Sequence, residues 1–571
     1  MCVARSGMVF AFSRISIDTG SLDLGRLLLD VFARCSLGPL LAVLTGLALG
    51  SISACERMVE RDLRADLADA DSPRMQLAPY REGMTLREVY DTFPRNGAVD
   101  TRLRILTDNN EAWLARWQLL ASAERSIDIS YFILKQDIFG VALLGALLKK
   151  ADEGVRIRIL LDAYGTQLSN SPKGNDYLDT LVNTGNVEVR MYRPWLNRAL
   201  DILLNLNIKI AVSSEHDKIL VADGKRAITG GRNVAVEYFS HPEDAEFVFE
   251  DLDIEVLGRR SAQDLVAAFE AQYSADSAEL LARERLDLVT QRDDLELVYQ
   301  SMAQWLGDSG LTPKTKQELE SRLPDLADEL AGMKHLRGGL SRPFAPYIVA
   351  ETRILDSTAR YEASKDTITR AALRLIASAR EQVFIVSPYF VLPQGAAEVV
   401  AQSLRPNVPL RLLTNSPGAT ESVIAGAFLL AHWADLMAAI PKLELYGNAT
   451  EQMIHSKAAT FDGVVTLVGT YNVSPLSIAT NSEVVLAVWS REFADRVMQR
   501  ARAHIAAGEP EVYRYRIARE AGGEPTLTED GQPVPVFGPL DHFELEDQPK
   551  LDMALTLLKA IEAVPGLSPL Y

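Results

Sequence analysis

Two stretches of this sequence follow one pattern, HDKILVADGKRAITGGRN at residues 216–233 and HSKAATFDGVVTLVGTYN at residues 455–472. Each contains a histidine, a lysine, an aspartate, a glycine and an asparagine at offsets 0, 2, 7, 14 and 17. The chain has only 7 histidines in 571 residues, so composition alone does not account for two such matches. The repeat therefore indicates that the chain contains two related halves.

The local pattern of each stretch predicts a strand-turn-strand unit. A histidine and a lysine two residues apart project from the same face of an extended segment. The Asp-Gly pairs at 223–224 and 462–463 are turn signals, and the apolar runs after them predict returning strands. We therefore expect each half to present its histidine, lysine and asparagine from one hairpin.

The segments upstream of the two hairpins also correspond. SIDISYFIL at 126–134 and QVFIVSPYF at 382–390 have the composition of strands, and VRIRILLD and VPLRLLTN follow them as second strands. The apolar spacing between these strands fits amphipathic helices. This alternation predicts an α/β fold with two similar lobes, each a mixed β-sheet flanked by helices.

The repeated motif resembles the phospholipase D superfamily, whose members carry two H-x-K-x-x-x-x-D motifs, each followed by a glycine and an asparagine. The resemblance spans about residues 105–505. Within it, the runs SPYF at 387–390, LTNS at 413–416 and GGRNVAVEYF at 230–239 are most similar to bacterial cardiolipin synthases of the C type. The resemblance implies an active site at the interface of the two lobes and phosphatidyl transfer or hydrolysis on membrane phospholipids.

One departure from that subfamily bears on the substrate. Its second motif continues as Asn-x-Asp-Pro-Arg-Ser, whereas this chain has NVSPLS at 472–477. An acidic and a basic residue are thus missing beside the site. The histidine, lysine and asparagine of the motif remain.

The length of the chain exceeds what one hydrophobic core usually supports, and its 47% hydrophobic and 24% charged residues are a globular composition. We therefore expect several parts. They are a signal sequence or membrane anchor at 1–55, an N-terminal segment at 56–104, a first lobe at 105–275, a helical inter-lobe segment at 276–360, a second lobe at 361–507 and a C-terminal tail at 508–571.

Transfer at a phosphodiester requires a nucleophile, a proton donor and groups that stabilise charge on the phosphate oxygens. A neutral His216 or His455 can attack phosphorus, and the other histidine can act as general acid and then as general base. The symmetry of the motifs leaves the nucleophile open, although the resemblance favours His216. We expect the phosphate oxygens to be held by Lys218, Asn233, Lys457 and Asn472. This chemistry requires no metal or other cofactor.

Three further roles follow from the motifs. Asp223 and Asp462 complete the catalytic motifs, but their Asp-Gly turn signal also allows a purely organising role. A carboxylate on the far nitrogen of each histidine would fix its tautomer and orientation. The resemblance points to Glu483 for the second half, with Asp253 as its counterpart in the first.

The N-terminal region predicts export. An uncharged run, LGPLLAVLTGLALGSISA at 37–54, follows Arg26 and Arg34 and ends at Cys55. Ile52 to Cys55 resembles the bacterial lipobox, whose cysteine is lipidated and becomes N-terminal after cleavage. The alternatives are an uncleaved transmembrane helix, for which 18 residues are a short span, and a buried core helix. The expected location is the bacterial cell envelope, with the catalytic lobes outside the cytoplasm.

The charge of the chain limits its partners. A net charge of −18 repels a polyanion, which weighs against an exported nuclease. Membrane phospholipids and the membrane surface are the expected partners, and the sequence names no protein partner. A phospholipase D hydrolase remains an alternative to the synthase. A non-catalytic envelope protein is disfavoured because both halves keep their histidine and lysine.

Overall fold

The computed structural model of the protein describes residues 80–94, 100–166, 176–194, 213–275, 277–281, 289–357, 367–392 and 395–542, with isolated positions at 77, 549, 552–553 and 555–556. The apolar run at 37–54 and the expected lipidation site Cys55 lie outside the described residues. Within the described ranges, no helix combines the length and apolarity needed to cross a membrane.

The first half of the chain alternates strands and helices. Its elements are α1 (Leu86–Asp91), β1 (Thr101–Leu106), α2 (Asn109–Ser122), β2 (Ser126–Tyr131), α3 (Ile138–Asp152), β3 (Arg156–Asp162), α4 (Asp176–Asn183), β4 (Val187–Tyr192), β5 (Ile219–Ala222), β6 (Arg226–Gly230), α5 (Val236–Phe239), β7 (Phe249–Glu250), β8 (Asp253–Leu257), α6 (Arg259–Tyr273) and β9 (Ala278–Leu280). They are followed by helices α7 (Val289–Leu306), α8 (Pro313–Arg322) and α9 (Pro324–Gly332).

The second half repeats this succession. Its elements are β10 (Ile348–Ser357), α10 (Thr367–Ser378), β11 (Val383–Val386), α11 (Ala396–Ser403), β12 (Leu410–Asn415), α12 (Val423–Ala439), β13 (Leu443–Asn448), β14 (Met453–Ile454), β15 (Ala458–Phe461), β16 (Val465–Gly469), α13 (Pro475–Ala479), β17 (Glu483–Trp489), α14 (Arg491–Val497), α15 (Gln499–Ala507), β18 (Val512–Arg514), β19 (Arg516–Ile517) and β20 (Pro535–Phe537).

One continuous sheet joins the two halves. In the described part of the chain it has 16 strands, in the order β18-β13-β12-β11-β15-β16-β17-β10-β1-β8-β6-β5-β2-β3-β4-β9. The antiparallel pair β1 and β10 lies at its centre, and equivalent strands follow in the same succession on either side. Strands β2-β3-β4 and β11-β12-β13 are parallel and their neighbours antiparallel. The predicted fold of two similar α/β lobes with mixed sheets is therefore confirmed.

Segments expected to lie outside the lobes also contribute strands. The inter-lobe segment at 276–360 contains helices α7 to α9, but it also contains β9 at one sheet edge and β10 at the centre. The tail at 508–571 contributes β18 to the opposite edge. Strand β10 alternates buried and more exposed residues only over Ile348–Thr352, and its middle is buried on both faces, so its sequence lacks a clear strand pattern after the helical stretch.

The lobes share a hydrophobic core. One cluster of buried side chains includes Leu103 and Ile254 from the first half and Val484, Leu486 and Phe493 from the second. Burying each such side chain contributes about 1.5–3 kcal/mol. Separation of the lobes would expose this cluster, so the core holds the facing residues of the two halves in fixed positions.

Candidate active site

Each motif forms the predicted hairpin. Strands β5 and β6, and likewise β15 and β16, pair antiparallel around short turns. Asp223 and Gly224 have φ values of 54° and 60°, and Asp462 and Gly463 have values of 50° and 60°. Two consecutive positive φ values are the requirement of a type I′ turn, which Asp-Gly satisfies at low cost.

The two motif aspartates lie at the turns and not beside the histidines. The carboxylate of Asp223 accepts hydrogen bonds from the backbone N–H groups of Glu124, Arg125 and Ser126 at 2.8–3.1 Å. Asp462 accepts the equivalent bonds from residues 380–382 at 2.8–3.1 Å. The four residues of β5 or β15, at about 3.3 Å each, separate the aspartate from its lysine. The catalytic assignment of these aspartates is therefore corrected to an organising one.

Removal of the Asp223 side chain should affect stability more than chemistry. Burial by itself would raise the pKa of Asp223, but the three backbone donors outweigh it and lower the pKa. We expect Asp223→Ala to reduce the free energy of unfolding by about 0.5–1.5 kcal/mol at neutral pH, because three backbone donors at a partly exposed turn lose their charged acceptor. This difference in stability between wild type and variant should shrink as the pH falls through the lowered pKa of Asp223. Below that pH the wild-type carboxylate is protonated and loses its charge-assisted hydrogen bonds.

Chemical denaturation at several pH values, with turnover per folded molecule measured alongside, tests this. Asp435→Ala, an exposed aspartate on α12, is the control and should change stability little. A loss of turnover in Asp223→Ala without a loss of stability would assign the aspartate to the chemistry instead.

The two motif histidines are held by carboxylates from opposite halves. Nδ1 of His216 lies 3.0 Å from both oxygens of Glu483, and Nδ1 of His455 lies 2.5 Å from Asp251. Local strand pairing creates each contact. Glu215 and Ser482 form a parallel bridge beside the first pair, and β7 pairs with β14 beside the second. All four side chains of the two pairs are buried.

This arrangement corrects two expectations. Glu483 contacts His216 and not the histidine of its own half, and Asp251 takes the place expected for Asp253. The strand register gives the reason. Gly230 pairs with Asp253, and the equivalent Gly469 pairs with Val485, so Asp253 corresponds to Val485 and Asp251 to Glu483.

Asp253 has a structural role. Its carboxylate forms buried ion pairs with Arg116 and Arg232 at 2.9 and 3.2 Å. The sequence did not distinguish the two aspartates because the stretch from Asn233 to Asp251 is longer than the stretch from Asn472 to Glu483. The extra residues form the loop before β7, so equal spacing could not be assumed.

Residues 472–477, where this chain departs from the subfamily pattern, help to hold the carboxylate of Glu483 that orients His216. Ser477 donates its hydroxyl to Glu483 at 2.6 Å, and Thr470 donates to the other carboxylate oxygen. Ser474 caps α13 by accepting from the backbone of Ser477, the role that the family's aspartate could also fill. Leu476, where the family has arginine, is 41% exposed. The departure therefore keeps the local structure and removes a positive charge from the surface beside the site.

Both candidate lysine ligands lie beside their histidines, and both candidate asparagine ligands are buried. Lys218 donates to the backbone oxygen of His216 at 2.8 Å, and Nζ of Lys457 lies 3.0 and 3.3 Å from the ring nitrogens of His455. Asn233 donates one amide hydrogen to the hydroxyl of Tyr238 at 3.0 Å. The buried Oδ1 of Asn472 has no hydrogen-bond partner within the described part of the chain.

Burial and mutual charge set the protonation of these groups. Burial lowers the pKa of both His216 and His455, with a contribution from the neighbouring lysines, so both rings favour the neutral form. Burial also lowers the pKa of Lys457, and it lowers the pKa of Lys218 to about 8 with help from the Lys457 charge. The influence of Lys457 on both Lys218 and His216 means that charges from the two halves act within one site.

Activity should therefore fall as the pH rises through about 8. The protonated form of Lys218 is the cationic one, so its attraction for a phosphate is present below this pH and lost above it. We expect the kcat/KM profile, which reports the free enzyme, to have an alkaline limb near this value. In Lys218→Arg the limb should move to higher pH, because arginine stays charged. An unchanged limb in that variant would show that another group controls it.

Aromatic side chains that the motifs did not predict line the site. The ring of Phe132 lies 5.1 Å from that of His216 and 5.6 Å from Nζ of Lys218. Tyr238 and Phe249 lie 5.3 and 4.9 Å from the ring of His455. Their only signal in the sequence was their place in strand-like or motif-flanking runs. They exclude water from the histidines and contribute to the lowered pKa values.

Comparison with known proteins agrees with this geometry. The chain belongs to the family described as cardiolipin synthase, PLD-like domain, whose model matches residues 117–271 and 372–505. It is therefore a phospholipase D-type enzyme of the phosphatidyltransferase class.

Individual relatives and one solved structure are also similar to this chain. The chain is 28% identical over 413 residues to cardiolipin synthase C of Escherichia coli (strain K12), covering 68% of this chain and 82% of the relative. It is 24% identical over 409 residues to cardiolipin synthase 1 of Bacillus anthracis, covering 71% and 67%. The crystal structure of phosphatidylserine synthase from Haemophilus influenzae Rd KW20 matches 84% of this chain and 98% of its own, with a TM-score of 0.54 and 12% identity, which establishes a shared fold.

Proposed function

We propose that this enzyme transfers phosphatidyl groups between membrane phospholipids through a phosphohistidine intermediate and acts as a cardiolipin synthase. The crossed pairs His216–Glu483 and His455–Asp251 carry the proposal. Because each histidine is oriented by the other half, neither half holds a complete catalytic unit. A phosphate bound between the halves would meet both rings.

The reaction has two displacements. In the first, the neutral Nε2 of His216 attacks phosphorus and forms a phosphorus–nitrogen bond, while His455, whose protonated form is favoured by the negative charges of Asp251 and the bound phosphate, gives its Nε2 proton to the departing alkoxide. In the second, His455 removes a proton from the acceptor hydroxyl, whose oxygen attacks phosphorus and releases His216. Each carboxylate keeps Nδ1 of its histidine protonated, so that Nε2 faces the phosphate.

Positive charge stabilises both transition states. We expect the phosphate oxygens to be held from both halves by Lys218 and Lys457, which lie beside the histidines, and by the buried amides of Asn233 and Asn472. Burial strengthens these interactions because water does not screen them. The negative charge of the whole chain, −18, favours lipid over nucleic acid as the substrate.

Lipid analysis tests the proposed activity. The full chain is expressed in bacterial cells that lack cardiolipin, and labelled phospholipids are followed over time. The proposal predicts cardiolipin in cells with the wild-type chain and none with His216→Ala. Accumulation of phosphatidic acid without cardiolipin would instead identify a phospholipase D hydrolase. Cleavage of DNA with neither lipid change would favour the nuclease alternative.

We also propose that the mature protein begins at Cys55, which anchors it to the bacterial envelope through lipid, with the lobes outside the cytoplasm. Support comes from the run at 37–54, the arginines before it and the small residues preceding the cysteine. One acyl chain gives only marginal binding, so the cysteine must carry two or three.

Intact mass of detergent-extracted protein tests this anchoring. The proposal predicts a chain that starts at Cys55 and carries added acyl mass, and it predicts an unprocessed Cys55→Ser variant. A mass that includes residues 37–54 would support the uncleaved transmembrane helix, and normal processing of Cys55→Ser would rule out lipidation at Cys55.

A further inference from the structure

A second group of polar side chains lies outside the active site. His241 and Glu243 follow helix α5, and His335 follows helix α9, and one potential ligand atom from each lies within 4.8 Å of the others. The three residues are 94 positions or less apart in sequence, and His241 and Glu243 lie in the first lobe while His335 lies in the inter-lobe segment. The proposed phosphodiester chemistry does not use them.

The hydrogen bonds of His335 fix its tautomer. The buried carboxylate of Asp244, whose side chain is 2% exposed, accepts from the backbone N–H of His335 at 2.8 Å and from its ring Nδ1 at 2.8 Å. Nδ1 therefore carries the proton, and Nε2 of the neutral ring presents a lone pair. A carboxylate that orients a histidine through the far nitrogen is the usual outer partner of a metal ligand.

The other ring nitrogen of His335, Nε2, lies close to the carboxylate of Glu243. Its Nε2 lies 3.3 Å from a carboxylate oxygen of Glu243. Two acceptors at this distance repel each other unless a cation lies between them or the ring is protonated. Zinc bonds of about 2.0–2.2 Å at a tetrahedral angle place two ligand atoms about 3.4 Å apart. The observed spacing therefore suits two ligands of one ion.

His241 is the third candidate ligand. Its ring stacks on that of His335 with centroids 3.9 Å apart and planes at 19°. Its Nδ1 accepts a hydrogen bond of 3.2 Å from the backbone N–H of Glu243. The lone pairs of two stacked rings point side by side and not toward one ion. Coordination by His241 therefore requires its ring to rotate out of the stack and give up this long bond, a rearrangement that the half-buried side chain permits.

We propose that His241, Glu243 and His335 bind one divalent transition-metal ion of the zinc type, with water completing its coordination. Two imidazoles and a carboxylate form a donor set that suits zinc. The ion would tie the loop at 241–248 to the end of α9. Asn109 already joins the two ends of this loop by donating to the backbone oxygens of Ser240 and Phe249.

The position of the loop gives the ion a role. The loop connects Tyr238 with Phe249, and both rings pack against His455. Asp251, which orients His455, follows two residues after Phe249. An ion that orders the loop therefore stabilises one wall of the active site without entering the chemistry.

Zinc titration of the metal-free full chain tests the proposal. Wild-type protein should bind one equivalent of Zn²⁺ by calorimetry, and bound Co²⁺ should give the visible absorption of a four-coordinate site. His335→Ala and Glu243→Gln should lose this equivalent, and Glu243 is 75% exposed, so that variant should fold normally. Asp244→Asn should bind about 10–100-fold more weakly.

Two controls locate the ion. His432→Ala removes a histidine beside an unrelated carboxylate and should leave the stoichiometry and affinity unchanged. His455→Ala should also retain the equivalent, because the ion does not lie between the catalytic histidines. Absence of stoichiometric binding in the wild type, unchanged binding in Glu243→Gln, or loss of binding in His455→Ala would overturn the assignment.

Discussion

Replacing His216 or His455 with alanine is expected to lower kcat by at least about 10³-fold, because each removes one half of an acid–nucleophile pair that acts as a unit. Without His216 no phosphohistidine forms, and without His455 the leaving alkoxide receives no proton. Removal of both histidines should cost little more than removal of one, since residual rate then comes from phosphate binding alone.

His432→Ala is the matched control for this loss. His432 is a half-buried histidine on α12 beside Asp435 and belongs to neither motif. Its replacement should leave kcat within about twofold, since surface substitutions rarely alter the fold. Steady-state kinetics on a defined phospholipid in detergent micelles provide the measurement. Full activity in His455→Ala would mean that the second motif is structural, and the two-histidine mechanism would have to be abandoned.

The crossed carboxylates should have the second largest effect. We expect Asp251→Asn and Glu483→Gln each to lower kcat by about 10²–10⁴-fold with a small change in KM, because an amide can hold the histidine in the wrong tautomer. Glu483 raises the pKa of His216 against the larger effect of burial. Its neutralisation should therefore lower the pKa of His216 further and shift the acid limb of the pH profile to lower pH.

Asp253→Asn separates this positioning role from general destabilisation. Asp253 is as buried as Asp251, but it pairs with Arg116 and Arg232. Breaking a buried pair by removing one partner costs about 3–5 kcal/mol, so the control should unfold at a lower temperature. Its kcat per folded molecule should exceed that of Asp251→Asn by at least tenfold. Equal losses of kcat in the two variants would reduce Asp251 to a structural residue.

The sequence predicted those features that depend on local spacing. The repeated offsets and the Asp-Gly turns gave both hairpins, and the alternation of strand and helix patterns gave the two mixed sheets. Each of these features depends on contacts between residues close in the chain. Spacing along one segment is sufficient to predict them.

The sequence could not predict that each motif histidine is oriented by a carboxylate from the other half of the chain. The contacts His216–Glu483 and His455–Asp251 join residues more than 200 positions apart, and they arise only when the lobes face each other. The motif aspartates illustrate the same limit. Asp223 occurs in the catalytic pattern, but only the folded hairpin places it against the start of β2.

Isolation of a covalent intermediate tests directly whether a motif histidine acts as the nucleophile. Wild-type enzyme is mixed with labelled phospholipid, quenched rapidly without acid, digested and mapped by mass spectrometry. We expect a phosphatidyl group on the peptide that contains His216, formed and discharged at rates compatible with kcat. An adduct on His455 would exchange the roles of the two histidines and keep the double displacement. Turnover with inversion at phosphorus and no adduct on either histidine would contradict the account.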